Sequence, residues 1–376
     1  MRGELAITLG GGGARAAYQV GVLRGLARHF PSLQPMILTG ESAGAINVAF
    51  LAAHRGSFPE AVEGLVRLWS RLTADQIFRV DAFWLARNIV RWGIRLVSGG
   101  AAIAPQVRGL LDTAPLRALL ERSLARPGGE IVGIAEKVQT GLLKAIALTT
   151  INYSTGQTVT WVEGGQIPDW ARPLRRSITT RLTVDHVLAS SALPLIFPAV
   201  RLADGWYGDG GIRLHAPFSP AIHLGARRIL AVSTRYRQTR EEADQPAIRG
   251  YPAPAHMAGI LLDAIFLDLI DDDALVLERL NGLLAKLPQE HRGDLRPVEL
   301  LVLRPSQDLD ELAAGCESCL PRGFRFLTRG LGTRETSRPA FLSLLMFMPE
   351  YLEPLIRIGE SDVETRLKEI AAFLAD

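Results

Sequence analysis

Residues 5–21 read LAITLGGGGARAAYQVG. The apolar run 5–9 predicts a buried strand, and a helical pattern follows from Ala16 to Phe30, where Pro31 ends it. Four glycines, Gly10 to Gly13, connect the two. A glycine-rich turn between a strand and a helix presents backbone N–H groups and the positive end of the helix to something negative. That negative group is either a phosphate that stays bound or a charge that exists only during a reaction. The same unit then repeats. Met36 to Thr39 predicts a second strand, Gly40-Glu41-Ser42-Ala43-Gly44 a tight turn, and the residues through Ala53 a second helix. Two consecutive strand–turn–helix units predict an α/β fold built on a parallel sheet.

The remaining chain carries the same grammar less densely. Residues 60–126 are mostly helical and rich in Leu, Trp and Arg. Lys144 to Val162 predicts two strands about the turn Ser154-Thr155-Gly156, and Thr183 to Ser191 a helix stopped by Pro194. Val200–Leu202 and Trp206–Tyr207 flank the hairpin turn Asp204-Gly205, and Arg228 to Thr234 is another buried strand. After Thr234 the composition changes. A proline-containing polar loop over 237–256 leads to one long apolar helix from about His256 to Leu287. Val298 to Leu303 is a further strand-like run that returns to the main sheet, and the rest is helical.

With 376 residues, 48% hydrophobic and 22% charged, the chain has enough apolar material for a large core, which argues against bulk disorder. The net charge is +3, and Lys137, Lys144, Lys286 and Lys368 are the lysines, so arginine dominates the 42 basic residues. Arginine forks suit anionic groups, but no basic run is interleaved with aromatics, so nucleic acid is not an expected partner. Cys316 and Cys319 form a lone C-x-x-C, too few ligands for a zinc site. The opening residues contain no signal-peptide apolar segment and no run is long enough to span a bilayer, which makes a cytoplasmic protein the expectation.

Two readings of the glycine turn compete. Gly11-x-Gly13-x-x-Ala16 fits a dinucleotide fingerprint, with Glu41 roughly where a ribose-binding acid belongs. Glu41 lies, however, inside a G-x-S-x-G placed between a strand and a helix, the context of a nucleophile elbow around Ser42. The turns after neighbouring parallel strands share one sheet edge, so Gly11, Gly12 and Gly13 fall beside Ser42 as donors for an oxyanion. The base is open among His29, His54, His186, His215, His223, His256, His291 and the acids. Asp209 stands out in Gly208-Asp209-Gly210-Gly211, where glycines let a partner approach the carboxylate.

Taken together, GGGARAAYQVGVL, GESAG, ASSALPLIFP (189–198) and DGG resemble the patatin-like phospholipases in order and spacing, over about residues 3–235. The resemblance implies a three-layer α/β/α sandwich with a mainly parallel central sheet. It divides the chain into a catalytic domain at 1–235 and a mostly helical extension at 236–376 packed on it. It further implies a Ser–Asp dyad without histidine: Ser42 as nucleophile, Asp209 as base, Gly11 to Gly13 with Arg15 around the oxyanion. The expected activity is hydrolysis of fatty-acyl esters of (lyso)phospholipids or related lipids, with no cofactor and no metal. A Ser-Asp-His triad using His215 or His223, and a nucleotide- or lipid-binding module without hydrolysis, remain the alternatives.

Three finer expectations follow from local sequence. Arg15 at a helix start opposes the dipole, so it either orients the glycine turn or meets a lipid phosphate. Residues 77–104 intersperse apolar side chains, Trp84 and Trp92 with Arg79, Arg87, Arg91 and Arg95, the pattern of a lid or peripheral membrane contact. Ser190 and Ser191 read as helix-end residues, and Leu193, Leu195, Ile196 and Phe197 as lining of an acyl pocket.

Overall fold

A computed structural model describes residues 4–99, 108–125, 129–165, 167–248, 250–266, 269–333, 335–336 and 338–375. Its strands are β1 (Leu5–Leu9), β2 (Ile37–Glu41), β3 (Ala145–Asn152), β4 (Thr158–Gly164), β5 (Ala171–Arg172), β6 (Arg175–Thr179), β7 (Val200–Leu202), β8 (Gly205–Asp209), β9 (Arg228–Val232) and β10 (Glu299–Leu303). They form one sheet in the order β10-β9-β1-β2-β3-β4-β6-β5, with β8 paired to β3 and β7 to β8. The run from β10 to β3 is parallel throughout. Beyond it, β4 turns back against β3, while β7 and β8 form the expected hairpin.

Strand β1 is buried along its whole length because both faces of the sheet are covered. Leu5, Ile7 and Leu9 enter one core cluster and Ala6 the other. The first cluster is covered by α1 (Ala17–His29), α2 (Ala43–Ala53) and α3 (Phe58–Trp69). The ranges of the other helices used below are α4 (Ala82–Val97), α5 (Ala114–Leu124), α6 (Val184–Ser190), α7 (Pro254–Phe266), α8 (Leu269–Lys286), α9 (Ala340–Leu345) and α10 (Pro349–Thr365). Helix α8 covers the second face through Ile270 and Leu277. The result is three layers, α/β/α.

After Thr234 the described parts of the predicted long helix are helical, as α7 and α8, and residues 267 and 268 lie outside the described residues. The polar loop before it contains a single helical turn, Arg240–Ala243, capped by Thr239. The run ending at Leu303 does return to the sheet, as the edge strand β10 beside β9. Helix α10 lies directly on α1. Gly21 and Gly25 of α1 face Ile356 and Val363, and Gly359 of α10 faces Tyr18, so missing side chains let the two backbones approach.

This topology determines where chemistry can happen. The carboxyl ends of β1 and β2 lie side by side, with Leu9 opposite Gly40. Strand β3 pairs Glu41 with Thr149 on one side and Asp209 with Thr150 on the other. The glycine turn, the serine turn and the end of β8 therefore meet at one edge of the sheet.

Candidate active site

Ser42 stands between β2 and α2 with φ 53 and ψ −130, one of three non-glycine residues with positive φ among the described residues. Such a conformation costs on the order of 1–3 kcal/mol and persists only where its surroundings enforce it. Here they do. The Ser42 N–H donates to Ser190 Oγ at 3.1 Å, and Ser190 Oγ donates in turn to the Thr149 carbonyl at 2.7 Å. Ser191 Oγ donates to the Ser42 carbonyl at 3.2 Å and to the Val187 carbonyl at 2.8 Å. The two serines at the end of α6 thus hold both polar groups of the strained peptide unit, a role their sequence position did not reveal. The flanking glycines serve close approach. A Cβ on Gly40 would come 2.6 Å from Val48 Cγ2, and one on Gly44 would meet the Leu9 carbonyl.

The glycine turn lies against this elbow. A Cβ on Gly11 would be 3.2 Å from Ser42 Cβ and 3.7 Å from its Oγ. Gly12 and Gly13 have φ 143 and 56, which L side chains rarely adopt. The turn's carbonyls are occupied: Gln19 Nε2 donates to Gly10 at 2.7 Å, Thr234 Oγ1 to Gly11 at 2.9 Å, and the Arg15 N–H to Gly12 at 3.0 Å. No acceptor among the described residues meets the N–H groups of Gly12 and Gly13. The Gly11 N–H, by contrast, lies against the Glu41 carboxyl and favours its ionised form.

Two buried carboxyls border Ser42. Asp209 Oδ1 accepts the Gly211 N–H at 3.0 Å, and Oδ2 is buried without a hydrogen-bond partner. Burial raises the Asp209 pKa to about 7, against the opposing effects of the nearby Ser42 hydroxyl and the Gly211 amide. The hydroxyl is close enough to act on the carboxyl, yet no bond of ordinary geometry joins them. Catalytic bonds in unliganded sites are often loose in this way. Glu41 is raised to about 8, by burial first and then by the Asp209 charge, and its Oε2 also lacks a partner.

The histidines stand elsewhere. His223 is exposed, stacks on Trp170 at 4.8 Å and holds the Ser219 carbonyl with Nδ1. His215 is exposed and makes no described side-chain bond. His186 packs edge-on to Trp161 at 4.7 Å, and burial lowers its pKa to about 4. None bonds to Ser42 or Asp209.

Arg15 corrects one expectation. It is 2% exposed, and every guanidinium nitrogen is engaged. Nε donates to Ser343 Oγ at 2.7 Å, Nη1 to Asp263 at 2.9 Å and Nη2 to the Ala340 carbonyl at 3.0 Å, and Nη2 forms an ion pair with Asp310 at 2.8 Å. Burial alone would lower its pKa, but Asp310 and Asp263 hold it above the ordinary arginine range. Buried and committed to four partners inside the protein, the guanidinium faces away from where a lipid phosphate would lie. Its remaining part is to tie the end of the glycine turn to α7 and α9.

A narrow apolar slot of about 40 Å³ opens at Ser42 and Gly13. Ile46, Trp69, Leu116, Leu120, Phe197 and Phe347 are among its walls. Leu193 and Phe197 line it as expected; Ile196 packs in the core beside it instead, and Leu195 is 74% exposed at φ 66. The peptide there is turned outward because the carbonyls of Leu195 and Ile196 accept from Leu110 and Leu111. In α4, Val90, Ile94 and Val97 are exposed one helical turn apart, next to exposed Arg87 and Arg95. The side chains of Trp84 and Trp92, and residues 100–104, lie outside the described residues. Among those described, no helix is long and apolar enough to cross a membrane.

Comparisons place this geometry among known proteins. No curated protein matches the sequence. Among solved structures, human GIVD cytosolic phospholipase A2 has 17% identity and a TM-score of 0.45, covering 98% of this chain and 59% of that one. The type III effector ExoU has 14% identity and a TM-score of 0.38, covering 100% and 54%. VipD from Legionella pneumophila has 14% identity and a TM-score of 0.31, covering 81% and 61%. The chain thus spans less than two thirds of each of these proteins. The profile of the patatin-like phospholipases matches residues 7–222, a stretch that holds the glycine turn, the Ser42 elbow and Asp209. The chain belongs to the patatin-like phospholipase family.

Proposed function

We propose that this protein is a serine acyl hydrolase that cleaves fatty-acyl esters of (lyso)phospholipids or related lipids. One observation carries the proposal: the strained, buried Ser42 adjoins a buried carboxyl, Asp209, at the mouth of an apolar slot. In this reading Ser42 Oγ attacks the acyl carbonyl while its proton passes to Asp209. A carboxylate with a pKa of about 7 is a far better base near neutral pH than a free aspartate of ~3.9. The carbonyl oxygen becomes negative as the tetrahedral intermediate forms, and the unoccupied N–H groups of Gly12 and Gly13 are the donors placed to receive it. Loss of one such donor costs roughly 2.7–4 kcal/mol of barrier. The Gly11 amide, turned toward Glu41, is the weaker candidate of the three. Collapse of the intermediate expels the alcohol, which takes the proton from Asp209 and leaves an acyl-enzyme. Asp209 then deprotonates a water that attacks the ester and releases the fatty acid.

Fluorophosphonate labelling tests the reading, together with mass-spectrometric detection of fatty acids released from a lipid panel. Wild type should label and release fatty acid, and Ser42→Ala should do neither. An unlabelled wild type that still binds lipid supports the non-hydrolytic alternative. For membrane contact, we propose the exposed Val90–Ile94–Val97 stripe of α4 with its flanking arginines. Charge reversal at Arg87 and Arg95 should weaken binding to anionic vesicles, and a wild type that binds no vesicles sinks that part.

A further inference from the structure

The slot beside Ser42 has one wall from outside the stretch that the family profile covers. Phe347 lies in the short link between α9 and α10, where the Phe347 N–H donates to Leu345 and the Met348 N–H to Met346, at 2.9 and 3.0 Å. These tight turns fix its backbone, and its ring is 6% exposed. The ring centroid stands 6.4 Å from that of Trp69 and 6.4 Å, edge-on, from that of Phe78. Trp69 is itself pinned, with Nε1 donating to Asn47 Oδ1 at 2.8 Å. Phe78 packs in turn on Phe197 and Phe324, at 6.2 and 5.1 Å. A ring held between two such neighbours has nowhere to retreat when a ligand enters.

We propose that Phe347 is a specificity-determining residue that limits the length of the acyl chain the slot accepts. This rests on the reading of Ser42 as nucleophile and of the slot as the acyl site. The argument is one of volume. Leu116 and Leu120 offer flexible aliphatic surface, whereas Phe347 is a rigid aromatic wall backed by further aromatic rings. Removing the ring would leave a void that joins the slot and extends it toward the Phe78–Phe324 cluster, because surrounding structure collapses only partly into such a space. A longer chain could then enter, and each methylene newly buried raises kcat/KM about fourfold. The same segment presses the Leu344 carbonyl onto Gly13 and gives Ser343 and Ala340 to Arg15. Helix α9 and the link after it thus shape the oxyanion turn and the acyl wall together.

The test is a kcat/KM profile over p-nitrophenyl esters from butyrate to palmitate, for wild type, Phe347→Ala and Phe347→Leu. Each variant's Tm and its labelling by a short-chain fluorophosphonate are measured alongside. Widening by Phe347→Ala should move the optimum to longer chains, with the long-to-short ratio of kcat/KM rising about tenfold. Phe347→Leu, which keeps more of the packing, should shift the profile in the same direction by less, and it carries the test if the alanine variant does not fold. A profile of unchanged shape in a folded variant overturns the proposal, as does a uniform loss at every length, which would mark Phe347 as support for the turn only. A wild type that neither labels nor hydrolyses any ester instead overturns the reading of Ser42, so the two failures are distinguishable.

Discussion

Glu41 and Asp209 are both buried carboxyls at the same sheet edge, yet they stand in different surroundings. Burial raises both, to about 8 and about 7. Asp209 ends β8 beside the Ser42 hydroxyl, and its Oδ1 is oriented by Gly211. Glu41 ends β2 under the glycine turn. Its Oε1 is 3.9 Å from where a Gly10 Cβ would stand, and Ile270 Cδ1 of α8 is 2.8 Å from that same point. Desolvation acts on both acids alike, so a perturbed pKa alone cannot assign a base. Proximity to the Ser42 hydroxyl distinguishes them. The two residues should therefore respond alike in stability and differently in activity.

The largest expected effect lies in activity. Asp209→Asn keeps the shape and removes the proposed base, so kcat/KM should fall by about 10² or more. Glu41→Gln should lose no more than about tenfold, and His215→Ala and His223→Ala should each keep most of the activity. Equal losses in the two carboxyl variants would break the comparison, and silence on loss of either histidine would restore the triad reading. The pH profile sharpens it. A base must be ionised to act, so kcat/KM in the wild type should rise with pH through about 7. A limb near the ordinary aspartate value would mean that Asp209 is not the titrating base.

A middle-sized effect is expected at the clamp on the elbow. Ser190→Ala leaves the buried Ser42 N–H without its partner and removes one donor from the Thr149 carbonyl. An unsatisfied buried group costs about 1–3 kcal/mol, so Tm should drop and labelling at Ser42 should slow by about tenfold without vanishing. Complete loss of labelling would show that Ser190 does more than hold the backbone.

The physical reasons for what the sequence disclosed follow from range. Ser42 and the glycine turn are legible because each lies within a few residues of the strand and helix that position it, and because positive φ at Gly12 and Gly13 leaves a compositional mark. The β10 run was legible from its apolarity alone. Asp209 stood out through its glycines, one of which, Gly210, lies against the Thr149 carbonyl. The clamp by Ser190 and Ser191, the partners of Arg15 and the placement of Phe347 depend on segments far apart in the chain, and no local pattern announces such pairings. Arg15 shows the limit clearly. Its position against the helix dipole signalled a role, but only the folded chain shows that Asp263, Asp310 and Ser343 take up its charge. The long helix predicted over 256–287 was legible from apolar periodicity, and its described parts, Pro254–Phe266 and Leu269–Lys286, are helical.

The last expected effect is thermodynamic, and there the two carboxyls should agree. A carboxyl whose folded pKa lies above its unfolded value keeps its proton longer in the native state. Between those two values the native state binds more protons than the unfolded chain, so stability falls as pH rises. For Glu41 the window runs from the ordinary glutamate value, 4.5, to about 8, and for Asp209 from 3.8 to about 7. Gln and Asn do not titrate and resemble the neutral acids in shape. The Tm of Glu41→Gln minus that of wild type should therefore grow between pH 5 and pH 8. The same difference for Asp209→Asn should grow up to about pH 7 and then level off. In a chain of this size each recovered kcal/mol corresponds to about 2–4 °C or less, so differential scanning fluorimetry across that range can follow it. A difference independent of pH in both variants would mean that the carboxyls are not held protonated by burial. A pH-dependent gain in Glu41→Gln alone would mean that Asp209 is ionised in the resting protein, with the Ser42 hydroxyl and the Gly211 amide outweighing its desolvation.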